Sequence, residues 1–199
     1  MQSPDTPEKP LRTLGPTRRS LIGVIVIGAV IVLSGMAMGR VWWCAGGDLY
    51  PWAWDIWSRH CSQHLIDPYS ISHMQHGIGL YLLLVAFAGR RLPRTGIIWS
   101  VALVEAAWEI VENTNWMIQR YRTATISLDY SGDSILNSLG DYAACMLGVL
   151  IAERLSWRVA LTLFFVLELV SLCWIRDSLL LNILMLVCPI DAVRQWQAG

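Results

Sequence analysis

Apolar residues in this chain fall in long unbroken runs rather than in alternation with polar ones. Leu21 to Gly39 (LIGVIVIGAVIVLSGMAMG) contains no charged residue. A bilayer core about 30 Å thick takes about 20 such residues per helix. Comparable runs follow at His73–Gly89, Gly96–Ile118, Ile135–Ala152 and Val159–Ile175. A sixth, Leu179–Ile190, has only twelve residues, a length that also suits a re-entrant or buried segment. Open sheets leave backbone groups unsatisfied in lipid, and no alternating ten-residue barrel strands occur. The pattern therefore predicts an all-α, polytopic transmembrane helix bundle of about six spans, with residues 18–199 as one helical domain.

The start of the chain allows two readings. Thr17-Arg18-Arg19-Ser20-Leu21 faintly resembles a twin-arginine export signal. Against cleavage, nineteen uncharged residues exceed a normal signal core, and no small-x-small site after them makes a convincing cleavage signal. A retained anchor is the expectation, preceded by a mobile cytoplasmic tail over 1–17 that is rich in proline and lacks periodicity.

Composition narrows the class. Of the 199 residues 55% are hydrophobic and 15% charged, against about 25% charged in soluble domains. Disorder is excluded by the apolar content. Fifteen basic residues balance fifteen acidic ones, which gives nucleic-acid binding no support. Their distribution is more telling. Six alternating spans put Lys9, Arg12, Arg18, Arg19, Arg90, Arg91, Arg94, Arg154, Arg158 and Arg194 on one side, and Arg40, Arg59, Arg120, Arg122 and Arg176 on the other. Ten against five predicts both termini in the cytoplasm.

Residues 40–72 then lie outside, and they hold five of the eleven tryptophans: Trp42, Trp43, Trp52, Trp54 and Trp57. Tryptophan favours the headgroup level, where ring and N–H are both accommodated. A short interfacial helix over Pro51–Leu65 is expected, compatible with an aromatic vestibule for a lipid or other amphiphile. Cys44 and Cys61 are the only cysteines placed outside, so a Cys44–Cys61 disulfide is a candidate.

Ionisable residues inside the spans carry the chemistry. Glu105, Glu109 and Glu112 recur at offsets of 0, 4 and 7, one face of a helix. A carboxylate at mid-membrane costs on the order of 2.5–3.5 kcal/mol, so three on one stripe need a cavity, a counter-charge, a metal or a proton. His73 and His76 lie one turn apart, and Asp133, Asn137 and Asp141 form a third stripe. Topology brings all three stripes into the outer half of the membrane. Glu112 falls about 9 Å below the expected exit of the third span, and Asp141 about 12 Å below Asp133. One shared site, open outward, is the inference. Arg120 and Arg122 stand above it, either pairing with Asp129 or Asp133 or clamping an anionic headgroup. Glu168, alone in the fifth span, reads as an interhelical hydrogen-bond partner.

The strings D-P-Y-S-I-S-H-M-Q-H-G, E-x-x-W-E-x-x-E-N, Y-R-T-A-T and D-Y-S-G-D-S-I-L-N-S-L-G-D, spread over roughly 40–150, resemble an uncharacterised bacterial inner-membrane family found mainly in alphaproteobacteria. The last of them, G-D-S-x-x-N-S-x-x-D with a small-residue helix behind it, is also loosely similar to VanZ-type proteins. The resemblance implies an envelope location and supplies no reaction.

Three functional classes stand. In the first, a divalent transition metal held by His73, His76, Glu112 and Asp141 serves an enzyme acting on a lipid or lipid-linked envelope precursor. Glu105, Glu109, Asp133 and Asn137 would join Glu112 and Asp141 as its catalytic groups. H-E-x-x-H, the E-x-x-H pairs of di-iron bundles and G-x-S-x-G are all missing. In the second, the glutamate stripe relays protons or a small solute, though no acid continues it inward. In the third, the polar residues lock helices of a binding or assembly protein that could oligomerise through Gly/Ala/Ser stripes. Interhelical hydrogen bonds average only about 0.6 kcal/mol, a small return for burying so many ionisable groups.

Overall fold

The computed structural model describes residues 17–127 and 129–199. The expected tail therefore lies almost wholly outside the described residues. Eight helices account for the fold: α1 (Arg18–Ala37), α2 (Ser70–Ala88), α3 (Arg94–Glu112), α4 (Asn115–Ala124), α5 (Ile135–Arg154), α6 (Trp157–Ile175), α7 (Leu179–Val187) and α8 (Asp191–Ala198). The only extended pairing among the described residues is an isolated bridge between Trp52 and Ile66.

Five helices have 19 or 20 residues, about 28–30 Å at 1.5 Å per residue. By length and composition α1, α2, α5 and α6 can cross a membrane. α3 matches them in length but carries Arg94 and the three glutamates, with Glu105 and Glu109 buried. Outward faces are greasy: α1 exposes Leu21, Ile25, Val26 and Leu33, and α6 exposes Phe165, Val166 and Leu169. Such faces suit a hydrocarbon solvent.

Small residues set the packing. α2 crosses α5 where Gly77 lies against the backbone of Cys145 and Gly148 against the backbone of Met74. A methyl group at either glycine would collide with a carbonyl, so only glycine permits this approach. Below the crossing, Ile98, Val101, Cys145 and Val149 form one apolar cluster, and Ile78, Ala152 and Ala160 another. Arg94 closes that end with a two-pronged pair to Glu153, at 2.6 and 2.7 Å.

Three expectations need correction. The run Gly96–Ile118 is two helices, because Asn113 turns its side chain back on the Glu109 carbonyl (3.1 Å) and Thr114 caps a new helix at Met117 N. Residues 51–65 form no interfacial helix; they are turns and bends seated on the start of α5. There the Ile135 and Leu136 N–H groups donate to the Val41 and Trp42 carbonyls at 2.8 and 3.3 Å. Ser134 is the N-cap of α5, accepting from Asn137 N at 3.1 Å.

The third correction concerns the sixth run. α7 has nine residues, about 14 Å, which is half a bilayer core. It turns back, and α8 rests at the end where α6 finishes: Arg176 donates to the Trp196 carbonyl (3.2 Å) and Arg194 to that of Thr123 (3.1 Å). Five helices thus run the length of the bundle. The last segment lies with the 40–69 loop and α4, opposite the start of α1, so Arg194 changes ends and the basic residues among those described divide seven against six.

Candidate functional site

The polar stripes meet at the loop end of the bundle. His73 on the first turn of α2 is the hub. Its Nδ1 lies 2.6 Å from Glu105 Oε1 and 3.3 Å from Glu109 Oε1, and its Nε2 lies 3.8 Å from Asp141 Oδ2. One turn on, His76 Nδ1 stands 3.1 Å from Glu105 Oε2. Glu105 thereby holds both imidazoles, one on each carboxylate oxygen. Ser70 fixes Asp141, donating to Oδ1 at 2.8 Å. α2, α3 and α5 each contribute because their polar faces turn toward one another at this end, while their apolar faces make the clusters beneath.

Among the described residues, both carboxylate oxygens of Glu109 and Oε2 of Glu112 are buried without a hydrogen bond, the 3.3 Å approach of His73 Nδ1 to Glu109 Oε1 being an ion-pair contact only. Desolvating a carboxylate without partners is costly, so such atoms ask for a ligand or a proton. His73, Glu109 and Glu112 bring ligand atoms within 4.8 Å of one another, as do His73, His76 and Glu105. In the second group the facing nitrogens are already engaged by Glu105. In the first group Glu105 engages only Nδ1 of His73, and Glu109 and Glu112 keep carboxylate oxygens without a hydrogen bond.

A cavity of about 160 Å³ opens beside them, lined by His73, His76, Glu112, Asp133 and Asp141 together with Tyr69, Trp108, Tyr121, Tyr130, Leu179 and Ile183. α4 and α7 form its far wall, which the short length of α7 makes possible. Asp133 accepts from Asn113 Nδ2 (2.8 Å) and from the Tyr130 hydroxyl (2.9 Å). Burial pushes its carboxyl up to about 6, partly opposed by those two donors.

Not every expected site residue reaches the cavity. Glu109 sits behind its wall, touching it through His73. Asn137 is fully buried but faces the loop, donating to the His64 carbonyl at 2.7 Å and toward Asp67 at 3.4 Å. It ties the loop to α5. Arg120 donates to the Leu186 carbonyl (2.8 Å) and Arg122 to the Tyr130 carbonyl (2.6 Å). Neither lines the cavity, and Arg120 neutralises the carbonyl end of α7. Glu112 is the last residue of α3, at its rim rather than 9 Å below it. Glu168 fits its expected part: it accepts from Gln75 Nε2 at 2.8 Å and from Leu180 N at 3.0 Å, capping α7.

The Cys44–Cys61 disulfide is absent; all five cysteines are free. Cys44 Sγ lies 3.1 Å from His60 Nδ1, and Cys61 Sγ lies 3.9 Å from Asp67. The two sulfurs point at different partners, and burial, reinforced by the Asp67 carboxylate, raises the Cys61 thiol above its usual range.

Comparison with known proteins places the chain. The family described as "Protein of unknown function (DUF2585)" matches residues 35–199. A UPF0314 protein of Sinorhizobium fredii is 48% identical over 183 residues, covering 90% of each chain. Those of Paracoccus denitrificans (43%, 88% of this chain and 89% of the relative) and Sphingopyxis alaskensis (39%, 90% and 97%) are similar over nearly their whole length. The chain belongs to this family. No solved structure matches it. The looser likeness to VanZ-type proteins gains nothing from these matches. As a DUF2585 protein it is a membrane protein of alphaproteobacterial type, and the family's description names no reaction.

Sequence periodicity missed several residues of this DUF2585 site. Tyr69, Tyr121, Tyr130 and Trp108 frame the cavity, and the almost fully buried Asp67 and Asp177 accept hydrogen bonds from the Tyr69 backbone N–H and hydroxyl. Asp67-Pro68-Tyr69 was visible as a turn signal before α2. The tyrosines come from loop and α4 positions whose facing no periodicity fixes.

Proposed function

We propose that this chain binds one divalent transition metal at the loop end of the bundle and uses it to act on the headgroup of a lipid or lipid-linked envelope precursor. The carrying observation is the set of unpartnered carboxylate oxygens of Glu109 and Glu112 beside His73. His73, Glu109 and Glu112 would hold the ion, with Asp141 adjacent. The 3.8 Å between His73 Nε2 and Asp141 Oδ2 is too long for a hydrogen bond, yet it suits two atoms each about 2.1 Å from one ion. Glu105 then plays the carboxylate that orients a ligating histidine. When bound, the ion supplies Lewis acidity or a hydroxide at neutral pH. Asp133 and Tyr130, on the opposite wall, are placed to hold a proton or a polar headgroup atom.

The cavity takes about five waters' volume, at roughly 30 Å³ each, which suits one phosphate or a small headgroup rather than a whole lipid. Its Trp108, Leu179 and Ile183 wall supplies the apolar side. Of the basic residues described, seven lie at the far end and six at this one, and that slight excess is in the direction of placing this end in the periplasm of the inner membrane. The apolar clusters beneath the site give no polar lane for transport.

Metal analysis of detergent-purified protein tests the reading. The His73→Ala, His76→Ala double variant should hold about one equivalent less than wild type. Equal metal content in two folded, monodisperse samples would overturn it.

A further inference from the structure

A second cluster of ligand atoms lies outside this site, within the tryptophan-rich loop. Cys44, His60 and His64 bring a sulfur and two imidazole nitrogens within 4.8 Å of one another, and Asp48 closes the group. Cys44 and His64 are buried, His64 to 1% exposure. We propose that Cys44, His60, His64 and Asp48 form a tetrahedral structural zinc site that holds the loop in shape.

The distances match that geometry. Zinc bonds of about 2.3 Å to sulfur and 2.0–2.1 Å to nitrogen or oxygen give tetrahedron edges of roughly 3.3–3.6 Å. Two edges come close to this, Cys44 Sγ to His60 Nδ1 at 3.1 Å and His60 Nδ1 to His64 Nε2 at 3.4 Å, and the Asp48 carboxylate faces both imidazoles, with Oδ2 3.2 Å from His60 Nδ1 and Oδ1 3.3 Å from His64 Nε2. One imidazole nitrogen carries either one hydrogen or one lone pair, so His60 Nδ1 cannot satisfy three such neighbours by hydrogen bonding. A shared cation satisfies all of them.

The surroundings also fit. His64 Nδ1 meets the Tyr50 carbonyl, which fixes the tautomer that leaves Nε2 as the ligand atom. Gly46 N donates toward Cys44 Sγ at 3.4 Å, as amides do to metal-bound thiolates. A Cβ at Gly46 would stand 2.6 Å from His60 Cε1 and 3.2 Å from Cys44 Sγ, so that residue must stay small to close over the group. Trp43 braces it from behind, its ring 5.2 Å from that of His64 and its Nε1 donating to the Asp48 carbonyl at 2.8 Å. Four protein donors leave no open position, which marks a structural rather than a catalytic zinc site. The loop has almost no regular hydrogen bonding and no disulfide, and a metal supplies the missing cross-link.

Cobalt(II) is the probe. Metal-depleted full-length protein in detergent is titrated with Co(II) while thiolate-to-cobalt charge-transfer absorption is recorded. One equivalent should develop the band, and one equivalent of zinc should bleach it. Cys44→Ser should abolish it, whereas Cys61→Ser and His73→Ala should retain it in full. The His73 site contains no sulfur ligand, so its loss leaves this signal untouched. A folded wild type that gives no band, or a band that survives Cys44→Ser, would overturn the proposal. Should Cys44→Ser fail to fold, His60→Ala serves in its place, with at least a tenfold loss of cobalt affinity expected and unchanged affinity contradicting the assignment.

Discussion

Around His73 the fold gathers four carboxylates from α3 and α5 and opens a cavity beside them; around His60 it gathers a thiol, a second imidazole and a carboxylate from one loop and closes over them. The first set is oxygen-rich, incompletely satisfied and placed on rigid helices. The second is rich in nitrogen and sulfur and placed in a loop without regular secondary structure. Metal chemistry separates the two by the same features: open positions serve reactions, and filled ones serve stability. The difference teaches why both occur at one end of the bundle. The loop forms part of the roof of the cavity through Ser62 and Tyr69, so fixing the loop fixes the site.

Substitutions can break this contrast. The largest effect should come from Glu105→Ala, which strips both His73 and His76 of their partner. Losing one member of a buried ionic group costs about 3–5 kcal/mol, to be read as reduced thermal or chemical stability in detergent. A cost no greater than that of an exposed substitution would mean the inner cluster is not a coupled network. Next comes linkage at the outer cluster. With the inner site removed by Glu109→Gln, free zinc at 100 times the loop site's Kd should stabilise the protein by about 2.7 kcal/mol, and adding Cys44→Ser to that variant should abolish the gain.

Gly140→Ala should act between the two regions. Gly140 lies against the Leu65 carbonyl, so a methyl group there pushes the loop off α5. About 1–3 kcal/mol of stability should be lost, and cobalt affinity at Cys44 should fall before metal content at His73 does. The smallest effect belongs to Arg120→Ala, which removes one donor from the end of α7. Its cost should be about 0.3–1 kcal/mol with both metal sites intact. Loss of metal from the inner site in that variant would revive the arginine as a binding group.

Helical parts of the molecule were readable because one face repeats. The offsets of Glu105, Glu109 and Glu112, and the one-turn spacing of His73 and His76, put their side chains on shared helix faces. The starts and ends of α2, α5 and α6 fell within three residues of the apolar runs. Legibility failed where hydropathy does not distinguish continuation from a break. Asn113 and Thr114 end one helix and cap another without altering the apolar run around them. α7 is as greasy as a span, and only its nine-residue length keeps it from crossing. The outer cluster was hidden for another reason. Cys44, Asp48, His60 and His64 are joined by an irregular path, and the two cysteines drew attention to a disulfide that would have excluded it. Asn137 shared a stripe with Asp133 and Asp141, yet four residues of helix were enough to turn it from the cavity to the loop.

The most direct measurement is a crystal of the zinc-loaded protein with anomalous differences collected above and below the zinc edge. The account predicts two peaks, one bounded by His73, Glu109 and Glu112 and one enclosed by Cys44, His60, His64 and Asp48. Well-ordered side chains with no peak beside His73 would contradict its central claim.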